Sequence, residues 1–224
     1  MYHLDSCDEW NSIHDEDLWV YNKLFLSRRL GYLCGAVGCP VPFPDHYVVR
    51  PSINLLGMGR FSRIEWIWNY TDHFHPSEFW CQRFSGEHIS VDFYQKNAEL
   101  VILGERDRNH PLYKWKKWTK IQRKVKFPEI LENLKGNYEW INCEFIGNKL
   151  IEVHFRRNPD FRYGNSVAIP VWKGEKINKL DNFIFVKDED YLRRGFYIDT
   201  RDSNPVKSSD FTKSGEQNGK TFGS

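Results

Sequence analysis

The sequence predicts an α+β fold dominated by antiparallel hairpins. Short runs alternate apolar and polar residues at period two, as Ile89, Val91 and Phe93 do. Glycines and prolines cut those runs at close intervals, as at Gly57-Met58-Gly59 and Gly147-Asn148. Helical spacing is confined to two segments, one of them short.

The first element is a helix over 15–33, where Leu18, Tyr21, Phe25, Leu26, Leu30 and Leu33 share a face and Asp15 is the N-cap. Gly35 and Gly38 end it, and Pro40, Pro42 and Pro44 enforce an extended connection. A strand over 46–50, a glycine loop over 55–60 and a strand over 63–68 read as a hairpin with a flexible tip. Segments 87–94 and 99–104 pair as a second hairpin. A short helix over 128–134 stops at Gly136. Segments 140–145 and 149–155 form a third hairpin, turning at Gly147-Asn148. Segments 167–172 and 183–187 are weaker strands. Residues 203–224, rich in Ser, Lys, Gly and Asn, read as a disordered tail.

With 224 residues the chain can bury a substantial core, and an aromatic share of 16% excludes disorder as its dominant state. No run of about 18 apolar residues occurs, which excludes a transmembrane helix. The acidic, polar start is unlike a signal peptide, so the reading is a cytoplasmic protein with no membrane partner. Five cysteines without framework spacing read as incidental thiols rather than a zinc site, and His73 and His75 as loop histidines. Net charge is only +2, yet residues 5–17 are acidic, while the stretch from Lys114 to Lys126 carries seven cations and no acid. Trp115 and Trp118 interleave with those cations. The stretch is a solvated helix or loop with its tryptophans packed inward, a nucleic-acid grip, or the lining of an entrance for an acidic substrate. Trp66, Trp68, Trp80 and Trp140 fall on or beside strands, where packing accounts for them.

Chemistry concentrates in three places. Lys23 on the first helix and Arg50 in Val48-Val49-Arg50-Pro51 are cations beside the Gly57/Gly59 loop, a combination that suits phosphate. Taken alone, both are ordinary surface cations and the glycines ordinary turn residues. In the third hairpin, Asn142 and Glu144 share one strand face, as do Glu152, His154 and Arg156. If the turn pairs those faces, oxygen ligands for Mg²⁺ converge beside phosphates. Glu152 in particular lies among Leu150, Ile151 and Val153, where a carboxylate needs a partner.

The order of these motifs resembles the ATP-grasp superfamily. Asn22-Lys23 leads to Gly38-Cys39-Pro40-Val41-Pro42; Val48-Val49-Arg50-Pro51 precedes Gly57-Met58-Gly59. Trp80-Cys81-Gln82-Arg83-Phe84 precedes Gly86-Glu87-His88-Ile89-Ser90-Val91-Asp92, and Asn142/Glu144 precede Glu152-Val153-His154 and Arg156. The match spans roughly residues 18–160. It implies one ATP-grasp domain over 1–202, with a first lobe over about 15–80 and a second, metal-binding lobe over about 81–202. ATP would sit between the lobes, bound by Lys23, Arg50, Gly57, Gly59, His88 and the backbone of Gln82, Arg83 and Phe84. Mg²⁺ would be held by Glu144 and Glu152 with Asn142 and His154, while Arg156 and Arg50 serve catalysis.

The implied activity joins a carboxylate to an amine through an acyl phosphate, releasing ADP and phosphate. Arg50 replaces the usual Lys, His88 stands where Glu is common, Asn142 where Asp is usual and His154 where Asn is usual. Only about twenty residues precede Lys23, so the resemblance is to a short form whose substrate contacts come from a partner protein or from insertions. The alternative is a non-catalytic nucleotide- or nucleic-acid-binding module.

Overall fold

A computed structural model describes residues 13–53, 59, 61–106, 111, 112, 114–190 and 192–200. The expected α+β class is the one observed: two antiparallel sheets and very little helix. The smaller sheet has the order β1-β4-β2-β3, from β1 (Cys34–Ala36), β2 (Asp45–Pro51), β3 (Arg63–Ile67) and β4 (Glu78–Gln82). The larger has the order β11-β12-β10-β7-β6-β5-β8-β9. Its strands are β5 (His88–Tyr94), β6 (Asn97–Arg106), β7 (Trp115–Lys120), β8 (Trp140–Ile146), β9 (Lys149–His154), β10 (Val167–Trp172), β11 (Phe183–Asp190) and β12 (Arg193–Asp199).

The helix expected over 15–33 is two pieces. A 3-10 helix covers Asp15–Tyr21, and α1 covers Lys23–Arg29. Asn22 separates them because its extended backbone lets its side chain accept from Leu24 N and Phe25 N, capping α1. The first cap is His14, not Asp15. Leu24 packs against Phe79 and Cys81 of the small sheet, while Leu26 joins Val91 and Phe93 of the large one. Lys23, buried at the start of the same helix, pairs with Glu152 on β9 at 3.2 Å. Thus α1 is wedged between the sheets, fastened to one by packing and to the other by packing and charge.

The expected hairpins are present at β2–β3, β5–β6 and β8–β9. On β5 and β8 the odd residues Ile89, Val91, Phe93, Ile141, Cys143 and Phe145 enter the main core. The even residues therefore face the other way. Expected helix 128–134 is a single 3-10 turn, Glu129–Leu131, anchored by buried Leu131. The basic stretch is neither helix nor loop at Trp115–Lys120 but strand β7, paired to β6 and β10. Trp80 is buried, but Trp66 and Trp68 are 43% and 73% exposed, so core packing does not account for that pair. The proposed tail and Cys7 lie outside the described residues, as does Gly57.

The link between the sheets, 83–87, is pinned to the β8–β9 turn. Gly147 N donates to Glu87 O at 2.8 Å. A Cβ on Gly86 would lie 2.8 Å from Gly147 Cα, and its φ of +122° already disfavours any side chain. At the N-terminal side, the buried Asp17 carboxylate accepts from Lys135 N, Gly136 N and Tyr138 Oη. Burial pushes its pKa up, but those hydrogen bonds win and hold it below the usual value.

Asp17→Ala is expected to cost about 3 kcal/mol in urea unfolding, because buried donors lose their acceptor. Asp17's contribution is complete above its unfolded pKa of about 3.9 and is lost as pH falls through the lower folded value. Asp17→Asn should therefore flatten stability against pH below about 4; an unchanged slope contradicts the assignment. For the buried pair, Lys23→Met and Glu152→Leu should each cost about 3–5 kcal/mol, and the double variant far less than their sum. Strict additivity in the cycle would show that the pair does not join helix and sheet.

Candidate functional site

The even-numbered face of β8 and β9 forms one wall of a cleft of about 1510 Å³ whose opposite wall is the small sheet. Glu144 and Glu152 are direct cross-strand partners. Between the pairs Glu144–Glu152 and Phe145–Leu150 the register shifts, leaving Ile151 as an extra residue. That bulge keeps Leu150 in the core while Glu152 faces the cleft. It also presents the Ile151 carbonyl to Arg50 Nη2, 3.1 Å away on the small-sheet side.

Charges converge here. Glu152 Oε2 lies 3.2 Å from Lys23 Nζ and Oε1 3.2 Å from His154 Nε2. Burial alone would raise the pKa of Glu152, but Lys23, His154 and Arg50 hold it well below the usual carboxylate range. Burial likewise lowers that of Lys23, with Glu152 opposing. Glu144 is pushed up by burial and by Glu152, yet the hydrogen bond from His88 brings it below its ordinary value. Both carboxylates are thus anionic near neutrality. Arg50 is buried, rests over the Phe79 ring, and its Nε makes no hydrogen bond.

Farther along the same face, His88 Nε2 lies 3.0 Å from Glu144 Oε2. Its other nitrogen, Nδ1, lies 3.3 Å from Arg106 Nη2. Trp115 and Trp118 close this end, their centroids 4.3 Å apart. Asn142 Nδ2 donates to Ser90 Oγ and Asp92 Oδ1, both at 2.8 Å. Gln82 Oε1 accepts from Leu33 N, so its side chain is committed to fastening the end of β4 to the segment before β1.

Of the thirteen residues expected in the site, twelve line this one cleft: Lys23, Arg50, Gly59, Gln82, Arg83, Phe84, His88, Asn142, Glu144, Glu152, His154 and Arg156. Gly57 lies outside the described residues. Sequence reasoning missed Arg106 and left Trp115 and Trp118 outside every motif; all three also line the cleft. The hint for the tryptophans was their position among cations, which packing did not absorb. Lys116 and Lys117 reach Glu105, Lys114 reaches Glu175 and Arg123 reaches Glu87, so much of the basic run is paired with acids on neighbouring segments.

Among the described residues, no group of three or more His, Cys, Asp and Glu side chains is arranged around a metal. Mg²⁺ does not need one: it binds through one or two carboxylates and completes its shell with phosphate oxygens and water. Glu144 and Glu152 fit that demand. Asn142 is turned toward Ser90 and Asp92, and His154, a nitrogen donor lying against Glu152, fits as that carboxylate's partner better than as a magnesium ligand.

No family model matches the chain. No curated protein matches it. Among solved structures it is similar to the crystal structure of an Archaeoglobus fulgidus protein assigned provisionally to the ATP-grasp superfamily, at 13% identity and a TM-score of 0.48. The alignment covers 81% of this chain and 64% of that one, so the chain spans less than two thirds of that protein's length.

Proposed function

We propose that the chain is an ATP-dependent ligase of ATP-grasp type that joins a carboxylate to an amine, with the nucleotide held between the two sheets. One observation carries the reading. Buried Lys23 and Arg50, on the α1 and small-sheet side, face the in-register carboxylates Glu144 and Glu152 of the large sheet across a single cleft. Cations opposite paired carboxylates suit a metal–polyphosphate, whose anionic oxygens need the first and whose metal needs the second.

In this reading Gly59 lies beside the phosphates, and the backbone of Gln82 to Phe84 meets the adenine ring. Arg50 turns its guanidinium charge toward a phosphate oxygen, and Lys23 adds a compact positive charge. Glu144 and Glu152 would hold Mg²⁺, which neutralises charge on the transferring phosphoryl group when bound. Arg156, on the strand exit beyond His154, orients the substrate carboxylate. Such a site works by positioning and charge neutralisation.

The second reading, a nucleotide-binding module without turnover, draws on the same carboxylate: Glu152 already has Lys23 and His154 as partners.

Calorimetric titration of the full chain with Mg-ATP should show binding that Arg50→Met weakens about 10- to 100-fold, the range for a charge-assisted contact. Glu144→Gln should lower the Mg²⁺ dependence of that binding. ADP release on adding carboxylate and amine together supports the ligase. Binding without ADP release across a panel of pairs favours the second reading, and no nucleotide binding at all overturns both.

A further inference from the structure

The end of the cleft away from Lys23 contains a chain of contacts that phosphate binding does not use. Arg106 Nη2 lies 3.3 Å from His88 Nδ1, and His88 Nε2 lies 3.0 Å from Glu144 Oε2. A guanidinium only donates, so Nδ1 must be the bare, accepting nitrogen of the imidazole. The ring proton then sits on Nε2 and is donated to Glu144. The arginine determines which way the histidine is polarised, and the histidine determines where one carboxylate oxygen points.

The surroundings hold this chain in place. The His88 ring meets Trp115 and Trp118 edge-on, with centroids 4.6 and 5.6 Å away. The Arg106 guanidinium lies 4.2 Å over the Trp115 ring. Three residues apart on a regular strand, the two indoles would point to opposite faces. The register shift between Glu105 and Arg106 pairs Arg106 with Trp115 and Gly104 with Trp118, which returns both to one face. They fit only because residue 104 is glycine. A Cβ there would come within 2.6 Å of Trp115 Cζ3 and 2.7 Å of Trp118 Cζ3.

We propose that Arg106, Trp115 and Trp118 lock His88 in its Nε2–H tautomer, and that His88 so locked holds the Glu144 carboxylate ready to take a divalent cation with Glu152. His88 and Arg106 are therefore positioning residues. His88 orients the carboxylate much as second partners orient ligands at metal sites, where their loss costs about 10- to 100-fold in affinity. The inference rests on reading Glu144 as a cation ligand, and it gives the two unassigned tryptophans a task.

The test uses the full chain with ¹⁵N-labelled histidine at one pH, about 8, in metal-free buffer. Long-range ¹H–¹⁵N spectra should show His88, identified by its loss in His88→Gln, with a proton on Nε2 and none on Nδ1. Arg106→Gln, at a half-buried position, should release the lock and give a mixture of tautomers. Free Mn²⁺ counted by electron paramagnetic resonance should then show affinity about 10-fold or more lower in His88→Leu. His88→Gln, which keeps an N–H donor, should restore most of it, with thermal unfolding confirming that each variant folds. A proton on Nδ1 in the wild type, an unlocked wild-type ring, or His88→Leu binding Mn²⁺ as well as the wild type overturns the proposal. Absence of Mn²⁺ binding in the wild type also overturns it, through Glu144. Failure of the ligase reading alone looks different: the lock and His88-dependent Mn²⁺ binding persist while no carboxylate and amine release ADP.

Discussion

The ion pair between Lys23 and Glu152, 3.2 Å long and buried at both ends, is the contact on which the arrangement of the cleft depends. Removing two charges from water costs several kcal/mol per ion, which their mutual attraction only roughly offsets. A pair of apolar residues would join α1 to β9 at least as firmly. What the charged pair provides is a cation and an anion fixed in place before any ligand arrives. His154 on the other oxygen of Glu152, and Arg50 on the Ile151 carbonyl one residue away, extend the same arrangement across both sheets. Such preorganisation is what an electrostatic site needs, since dipoles already aimed at the ligand need not reorganise when it binds.

Two irregularities in the large sheet make this possible. Strict alternation would place Leu150 on the face of Glu152 and Trp115 on the face opposite Trp118. The bulge at Ile151 restores Leu150 to the core, and the shift beside Arg106 brings both indoles to the cleft. Along β5 the alternation is unbroken, and it divides the strand by chemistry: Ile89, Val91 and Phe93 enter the core while His88, Ser90 and Asp92 face away from it. The polar face follows from the apolar one, because burying one set of side chains turns the other outward.

That division explains what could be read from the residues alone. The β5–β6 and β8–β9 hairpins were legible because Ile89, Val91 and Phe93 on β5 and Ile141, Cys143 and Phe145 on β8 alternate with polar residues, and because Gly147-Asn148 marks the second turn. Lys23, Arg50, Glu144 and Glu152 were legible as a set, through their order along the chain, although none is distinctive singly. The break at Asn22 was less visible, since Leu18, Tyr21 and Phe25 keep helical spacing across it; only the capping preference of Asn marked it. Strand β7 was hidden because a spacing of three between Trp115 and Trp118 does not read as strand without the shift in register that its partner imposes. Arg106 could not be found at all: its role comes from His88, eighteen positions away, through pairing of β5 with β6. Trp66 and Trp68, exposed at the edge of the small sheet, belong to no part of this site.

Hydrogen–deuterium exchange of the full chain with and without saturating Mg-ATP most directly tests whether the cleft between the sheets is a nucleotide site. Slower exchange is predicted at once in α1, β2, the 83–87 link and the β8–β9 hairpin, elements that meet only around the cleft. Protection confined to one sheet, or none at saturating nucleotide, would contradict the account.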